Sequence, residues 1–295
     1  MDINLPKGGR YVIAVSGGVD SVCLLHILNK YKQYELVVAH FDHGIRSDSA
    51  LDKALVEGLA NQYKLPFYSE EGKLGPTASE AAARKARYEF LAQVRQNTGS
   101  VAIITAHHQD DRLETLFINL IRGTGRKGLS SIGESKDIKR PLLNVSKAEL
   151  KTYANQHKLS WREDSTNQDQ RYLRNYIRSN VLPKLNKRDR LKLLELMDRQ
   201  REINKRIDRD MRKLYQNGGL GKLERKVLAD LTYNESKELV ASWLRDNNLV
   251  NFDHRTIERI TLAAKTKKPG AKFDVYNRNQ VVIGKEYLAL DTIER

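Results

Sequence analysis

Short apolar runs that alternate with long amphipathic stretches constrain this chain more than any other feature of its first half. Residues 11–15, 36–41, 66–69 and 101–106 are β-rich and bounded by polar residues or glycine. Between them, residues 19–32, 47–64 and 79–96 are each long enough for a crossover helix with an apolar stripe. Repeated strand–helix–strand units predict an α/β fold, a parallel sheet with helices on both faces. Such sheets bind ligands at the carboxyl ends of their strands. Thr77-Ala78-Ser79-Glu80 and Ser146-Lys147-Ala148-Glu149 fit the capping box that opens a helix. The basic, glycine- and serine-containing stretch 122–139 between them reads as a long functional loop.

After Pro183 the pattern changes. Residues 191–215 read as one long charged amphipathic helix stopped by Asn217-Gly218-Gly219. Helices near 236–247 and 254–265 and short antiparallel strands at 272–276, 280–283 and 287–290 follow. The expected organisation is a catalytic domain over 1–190 and a smaller helical and short-strand domain over 191–295.

Lysine and arginine total 52 against 37 aspartate and glutamate, a net charge of +15 carried by both parts of the chain. A basic surface without a partner and a polyanion-binding surface fit that charge equally, so a nucleic-acid partner needs other support. The apolar fraction, 40%, recurs in periodic blocks and belongs to a globular chain. One cysteine, Cys23, excludes a disulfide, a cysteine-rich zinc site and two-cysteine redox or sulfur-transfer chemistry within this sequence, and it reads as core. No apolar run is long enough to cross a bilayer, and residues 1–10 hold no signal-peptide core. The expectation is a cytoplasmic protein with no membrane partner.

The first strand runs into Ser16-Gly17-Gly18-Val19-Asp20-Ser21, where a helix begins. A phosphate at such a junction meets free N–H groups and the positive end of the helix dipole. Glycine removes the Cβ atoms that would hold an anion away, and Ser16 and Ser21 add hydroxyls. Asp20 is expected to repel phosphates unless it helps hold a magnesium ion that bridges them. The loop has no lysine of the Walker kind, which weighs against a kinase-like or GTPase-like reading. Gly123-Thr124-Gly125-Arg126-Lys127-Gly128 matches a dinucleotide fingerprint by letter but follows a helix, and reads as a mobile basic loop.

A second constellation, His107-His108-Gln109-Asp110-Asp111-Arg112-Leu113-Glu114-Thr115, follows the strand at 101–106. Asp111 and Glu114 share a helix face, and Asp110 sits at the turn, able to cap the helix or reach a metal. Three readings compete: a transition-metal site, helix capping with a surface carboxylate pair, and an active-site pair. The first suffers because adjacent histidines at a strand end point to opposite faces. The third explains most, since the pair could hold a cation or take a proton from an amine.

These residues resemble the N-type ATP pyrophosphatases, which cleave ATP between the α and β phosphates. The run from Ala106 to Thr115 resembles the tRNA-modifying members. Asp42-His43-Gly44-Ile45-Arg46, Arg122-Gly123-Thr124-Gly125, Arg140-Pro141-Leu142-Leu143 and Glu163-Asp164-Ser165-Thr166-Asn167, with Arg174-Asn175 and Arg178, resemble the tRNA(Ile)-lysidine synthetase family in particular. The match covers about two-thirds of the chain. The last third resembles the first of that family's C-terminal domains, with no second one expected in this sequence.

The resemblance implies adenylation by ATP, with Mg2+, of C2 of the wobble cytidine of tRNA(Ile) bearing the CAU anticodon. The amine of free L-lysine then displaces AMP to give lysidine. It places residues 16–21 with Asp42, His43 and His107 at the ATP, and Asp20 and Asp110 at the metal. Arg87 and Arg178 fall near the reacting groups, Asp111 and Glu114 at the lysine amine, and Arg122, Arg126, Lys127 and Arg174 at the tRNA. It leaves a homodimer open. Related tRNA thiolases use paired cysteines, which this sequence lacks. Two other readings stay open, a PP-loop adenylating enzyme acting on a small molecule and an RNA-binding protein with an inactive nucleotide site.

Overall fold

The alternation of apolar runs and amphipathic stretches folds as a sheet wrapped by helices. The structure, a computed structural model, describes residues 8–31, 33–44, 49–72, 80–130, 132–163, 173–215, 221–249, 252–266, 268–276 and 279–292. The motif positions Ile45, Arg46, Asp164, Ser165, Thr166 and Asn167, the capping residues Thr77 and Ser79, and the Asn217-Gly218-Gly219 stop lie outside them.

Strands β1 (Arg10–Ala14), β2 (Glu35–Asp42), β3 (Phe67–Glu71), β4 (Ala102–Ile104) and β5 (Ile138–Lys139) form a parallel sheet in the order β3-β2-β1-β4-β5. The order reverses between β1 and β4, where Tyr11, Val12 and Ile13 lie opposite Ala102, Ile103 and Ile104. At such a switch point the flanking connections diverge to opposite faces, which opens a ligand crevice beyond the carboxyl ends of these two strands. The fifth strand lies within the stretch expected to be a loop. Two residues, paired with Ile103 and Ile104, are too few to show a period.

Helices α1 (Val19–Lys30), α2 (Ser49–Tyr63) and α3 (Glu80–Asn97) are the three expected crossovers, and α4 (Gln109–Ile121) follows β4. A short α5 (Arg126–Leu129), then α6 (Lys147–Gln156) and α7 (Leu173–Tyr176) come next. A π-helical turn (Ile177–Val181) and a 3-10 turn (Leu182–Lys184) lead into α8 (Lys187–Tyr215). One face of the sheet buries Ile13, Val38 and Ile104 with Leu24 and Leu28 of α1, Val56 of α2 and Leu150 of α6. The other buries Val12, Val37 and Ile103 against Phe90, Leu91 and Val94 of α3. At roughly 25 cal/mol per Å2 of apolar surface removed from water, these two layers dominate the stability of the sheet. Cys23 is buried in the first layer, where burial pushes its thiol up to about 12. It is a core residue, as the sequence reading expected.

The chain divides into two compact units, Met1–Asp198 and Arg199–Arg295, and the division falls within α8. The second unit holds β6 (Lys222–Glu224), α9 (Arg225–Asp230), α10 (Tyr233–Asp246), α11 (His254–Thr266), β7 (Lys272–Tyr276), β8 (Asn279–Ile283) and β9 (Tyr287–Thr292). Its strands form an antiparallel sheet, β6-β9-β8-β7, over a core of Trp243, Leu239, Ile260, Leu223 and Leu288. Thr232 opens α10 with a capping box closed by Glu235. No helix among the described residues is long and apolar enough to cross a membrane.

Candidate active site

Beyond β1 the chain turns sharply into α1. Gly17 has φ +91°, a region that side-chain-bearing residues rarely adopt. Gly18 is the N-cap of α1 with an ordinary φ of −73° and no side-chain cap. A Cβ there would meet no protein atom nearer than Ser16 Oγ at 3.6 Å, so this glycine leaves the approach to the first-turn N–H groups clear. Free first-turn N–H groups with an open approach suit an anion. Ser21 plays a different part from the hydroxyl donor expected. It is buried, its Oγ donates to Gly18 O at 2.9 Å and accepts from Ser16 N–H at 3.2 Å, so it shapes the loop from within. Ser16 is exposed.

Three residues that sequence reasoning did not single out hold this loop. Arg162 donates its backbone N–H to Gly17 O at 3.0 Å and its Nε to Asp52 Oδ1 at 2.7 Å. Asp52, in the first turn of α2, is buried, and its Cβ would lie 3.5 Å from a Cβ on Gly17. His40, buried on β2, bonds Val15 O through Nδ1 at 2.9 Å. Burial lowers its pKa, so the neutral ring carries its proton on Nδ1 and donates.

Across the switch point, His108 is the N-cap of α4. Its Nδ1 accepts from Asp110 N–H at 3.2 Å, while Asp111 Oδ2 accepts from His108 N–H at 2.9 Å. The cap that the sequence reading offered to Asp110 is made by Asp111. With Nδ1 an acceptor, the ring proton lies on Nε2, 3.5 Å from Asp20 Oδ2 and 3.6 Å from Asp111 Oδ2. Burial alone would lower the His108 pKa, but Asp20 and Asp111 outweigh it and raise it. The same contacts with His108 and Lys147 lower Asp20 against the opposing effect of burial. His107 points elsewhere, its Nδ1 2.8 Å from Thr105 Oγ1. Burial lowers it to about 3; Asp111 opposes that, while Arg140, Arg84 and Arg87 reinforce it.

Lys147, the first residue of α6, sets its Nζ 2.6 and 2.8 Å from the two oxygens of Asp20. The letters of the glycine loop give no pointer to it, because it lies 127 residues from Asp20 in the chain. The signal was present, since Lys147 directly follows Ser146 in a capping box legible in the sequence. The second capping box is formed as expected, with Ser146 and Glu149 bonded reciprocally.

Of the two carboxylates expected at a metal, Asp110 has both oxygens engaged: Oδ2 accepts from Arg190 Nη1 at 3.0 Å and Oδ1 from Lys147 N–H at 3.4 Å, so Asp110 ties α4 to α6 and α8. Among the described residues, no group of three or more His, Cys, Asp and Glu side chains could hold a metal ion. Asp20 is the one carboxylate of residues 16–21, a hard oxygen ligand of the kind magnesium takes.

Asp111 and Glu114 share a helix face but not an environment. Glu114 is fully buried, and its two oxygens accept from Arg178 Nε at 2.7 Å and Nη2 at 2.9 Å, with Arg174 Nε 4.0 Å away. An amine held jointly by the pair meets this geometry as an obstacle: Glu114 already holds a guanidinium. Burial raises its pKa despite Arg178. Arg174, grouped by sequence with the tRNA contacts, lies by Glu114 and near Arg87. Arg87 is half-buried over the Tyr88 ring at 5.5 Å, and burial lowers its pKa. An arginine flank of Arg84, Arg87, Arg140, Arg174 and Arg178 thus surrounds His107 and Glu114.

Asp42 and His43 stand at the carboxyl end of β2, where Asp42 Oδ1 accepts from Gly44 N–H at 2.8 Å. Gly44 has φ +66°, and a Cβ there would lie 2.6 Å from Gly72 O, so only glycine fits. Arg122 is the exposed C-cap of α4, with Arg126 and Lys127 opening α5. The run at 123–128, expected to be a basic loop, opens a short helix and is hydrogen-bonded to the end of α4. Thr124 N–H donates to Asn119 O, Asn119 Nδ2 donates to Gly128 O, and a Cβ at Gly128 would lie 2.8 Å from Thr124 Cβ.

A parallel sheet with an anion cradle at its switch point defines a class of nucleotide-binding protein, and the chain belongs to the PP-loop family, whose domain matches residues 3–185. Over 190 residues it is 39% identical to a tRNA(Ile)-lysidine synthase of Synechococcus sp., covering 61% of this chain and 58% of the relative. Over 184 residues it is 43% identical to a tRNA(Ile)-lysidine synthase of Thermus thermophilus, covering 60% and 36% respectively. The match thus spans only 58% and 36% of the lengths of these two curated relatives. In fold it is similar to a U34-tRNA thiolase, NcsA, from Methanococcus maripaludis, with a TM-score of 0.55 at 18% identity over 66% of this chain and 73% of that one.

Proposed function

We propose that this chain uses ATP to adenylate C2 of the wobble cytidine of tRNA(Ile) bearing the CAU anticodon, in the cytoplasm, and then joins free L-lysine to that carbon. The cytidine C2 oxygen attacks the α phosphorus of ATP and pyrophosphate leaves. The lysine amine then attacks C2, loses its proton and displaces AMP. The observation that carries the reading is the meeting, at one sheet edge, of the anion cradle at 16–21 with the arginine flank around His107 and Glu114. An anion cradle suits the departing pyrophosphate, and positive charge suits a nucleotide phosphate brought beside it.

In this reading the N–H groups at 17–19 hold the phosphates, and Asp20 would hold a magnesium ion, which would supply charge neutralisation there. Arg87 and Arg178 stand by the reacting nucleotide, with Glu114 positioning Arg178. Asp111 takes the amine proton, and Arg122, Arg126 and Lys127 bind tRNA backbone. Identity to proteins named tRNA(Ile)-lysidine synthase supports the choice of substrates. The lone, buried cysteine supports an amine nucleophile over sulfur transfer.

The test is incorporation of labelled lysine into tRNA(Ile) transcript with the CAU anticodon, given ATP and magnesium, with the methionine tRNA as control. ATP-dependent incorporation into the first alone supports the reading. ATP cleavage to AMP and pyrophosphate with only small-molecule acceptors would move the function to another PP-loop adenylating activity.

A further inference from the structure

We infer that Arg112 and Asp198 are positioning residues: their ion pair sets the register of α4 against α8, and so fixes where α4 presents Asp111 and Glu114. The inference rests, for its kinetic consequence, on the reading of those carboxylates under the proposed function.

Helices α4 and α8 share an apolar seat of Leu113, Leu116, Leu194 and Met197. Such a seat attracts without direction, so it joins two helices but does not choose how far each slides or turns. Hydrogen bonds make that choice. The Arg112 side chain is only 2% exposed. Its Nη2 donates to Asp198 Oδ1 at 2.5 Å, and its Nη1 donates to Asn144 Oδ1 at 3.1 Å. Gln109, at the start of α4, holds the same segment. Its N–H donates to Val145 O at 2.9 Å and its Nε2 to Asn144 O at 2.7 Å. Arg112 therefore joins the first turn of α4 to α8 and to the segment that opens α6.

Two ion pairs link α4 to α8, and they run in opposite senses. On α4, Asp110 accepts from Arg190, whereas Arg112 donates to Asp198. A slide that exchanged the partners would set Arg112 on Arg190 and Asp110 on Asp198. The wrong register is thus repelled as well as unpaired.

Packing alone does not call for a buried arginine. An apolar side chain of similar volume often stabilises such a position as well or better, because a guanidinium must first be stripped of water. What the ion pair adds is one register. That matters on this helix because Asp111 directly precedes Arg112 and Glu114 lies one turn of sequence beyond Asp111. A displacement of about 1 Å at a reacting group can cost roughly a hundredfold in rate.

The test separates register from stability. Arg112→Met combined with Asp198→Ala removes the pair without stranding a buried charge, so the melting temperature should hold. The kcat for lysine incorporation into tRNA(Ile) transcript should fall about ten- to a hundredfold, while KM for ATP stays within about twofold. Hydrogen exchange at the Gln109 amide should quicken, because its bond to Val145 O lies along the loosened seam. Asp198→Glu keeps the charge and should preserve most of the rate and of the protection.

A folded double variant with unaltered kcat and unaltered exchange overturns the inference. If the double variant does not fold, Asp198→Asn carries the same comparison at a temperature where circular dichroism shows a folded chain. An unaltered chain that forms no lysidine overturns the proposed function instead, and the exchange measurement still decides the register.

Discussion

Arg162 grips Asp52 with its side chain and Gly17 with its backbone, Nε to Oδ1 at 2.7 Å and N–H to carbonyl at 3.0 Å. A glycine with φ +91° has many alternatives, and these two bonds select one of them. Asp52→Ala should lower stability by roughly 1–3 kcal/mol, since it leaves a partly buried guanidinium without its carboxylate. ATP affinity should fall several-fold with it. A lower melting temperature with unchanged ATP affinity, read by calorimetry, would separate the strut from the function of the loop.

Glu114 and Arg178 are unequal partners. Arg178→Met strands a carboxylate with no solvent exposure, whereas Glu114→Gln leaves a guanidinium 39% exposed that can turn to water. At pH 7 the arginine variant should therefore lose roughly 3 kcal/mol and the glutamine variant less. Burial holds Glu114 above its ordinary pKa in the fold, so its contribution is fully present below the unfolded glutamate value and is lost as pH rises through the folded one. The gap between the variants should narrow as pH falls toward 4. Denaturant titrations at several pH values measure it; a gap that widens on acidification would contradict the burial argument.

His107 and His108 are neighbours in sequence with opposite protonation preferences. NMR of ring-labelled protein should show His107 neutral down to about pH 3, and His108 titrating above the ordinary imidazole value. The signs follow from linkage. His107 contributes stability above the unfolded value that is lost as pH falls toward its folded one. His108 contributes stability below the unfolded value that is lost as pH rises through its folded one. Two rings titrating together near the ordinary value would defeat the assignment.

Arg126 and Lys127, both half-buried, open the short α5 after α4. Their joint replacement by alanine should weaken tRNA binding and reduce the slope of log affinity against log salt by about one to two, with ATP affinity unaltered. Filter binding over a salt series reads the slope. An unchanged slope removes α5 from the RNA interface.

Much of this architecture was legible because periodicity is local. The runs at 11–15 and 36–41 alternate or stay apolar over enough residues to declare themselves, and Ser146 with Glu149 announces a helix start within four letters. β5 stayed hidden because its two residues borrow their conformation from Ile103 and Ile104. The edge strand β3 was placed a residue early at its start and two short at its end, since its exposed face carries no apolar signal. At the site, the glycine loop and the His107–Glu114 run could be read as segments. What they touch could not. Asp20 meets Lys147, Gly17 meets Arg162 and Glu114 meets Arg178 across long stretches of chain, and no local pattern encodes such partnerships.

The dependence of Gly17 on Arg162 also bears on how this protein is made. A chain still leaving the ribosome has its glycine loop within the first few dozen residues, but the residue that aims that loop emerges only after β4, α4 and α6 have been completed. Until then Gly17 O lacks the N–H that it accepts from in the finished fold, so the loop takes its final hold only after nearly all of the sheet and its covering helices have emerged.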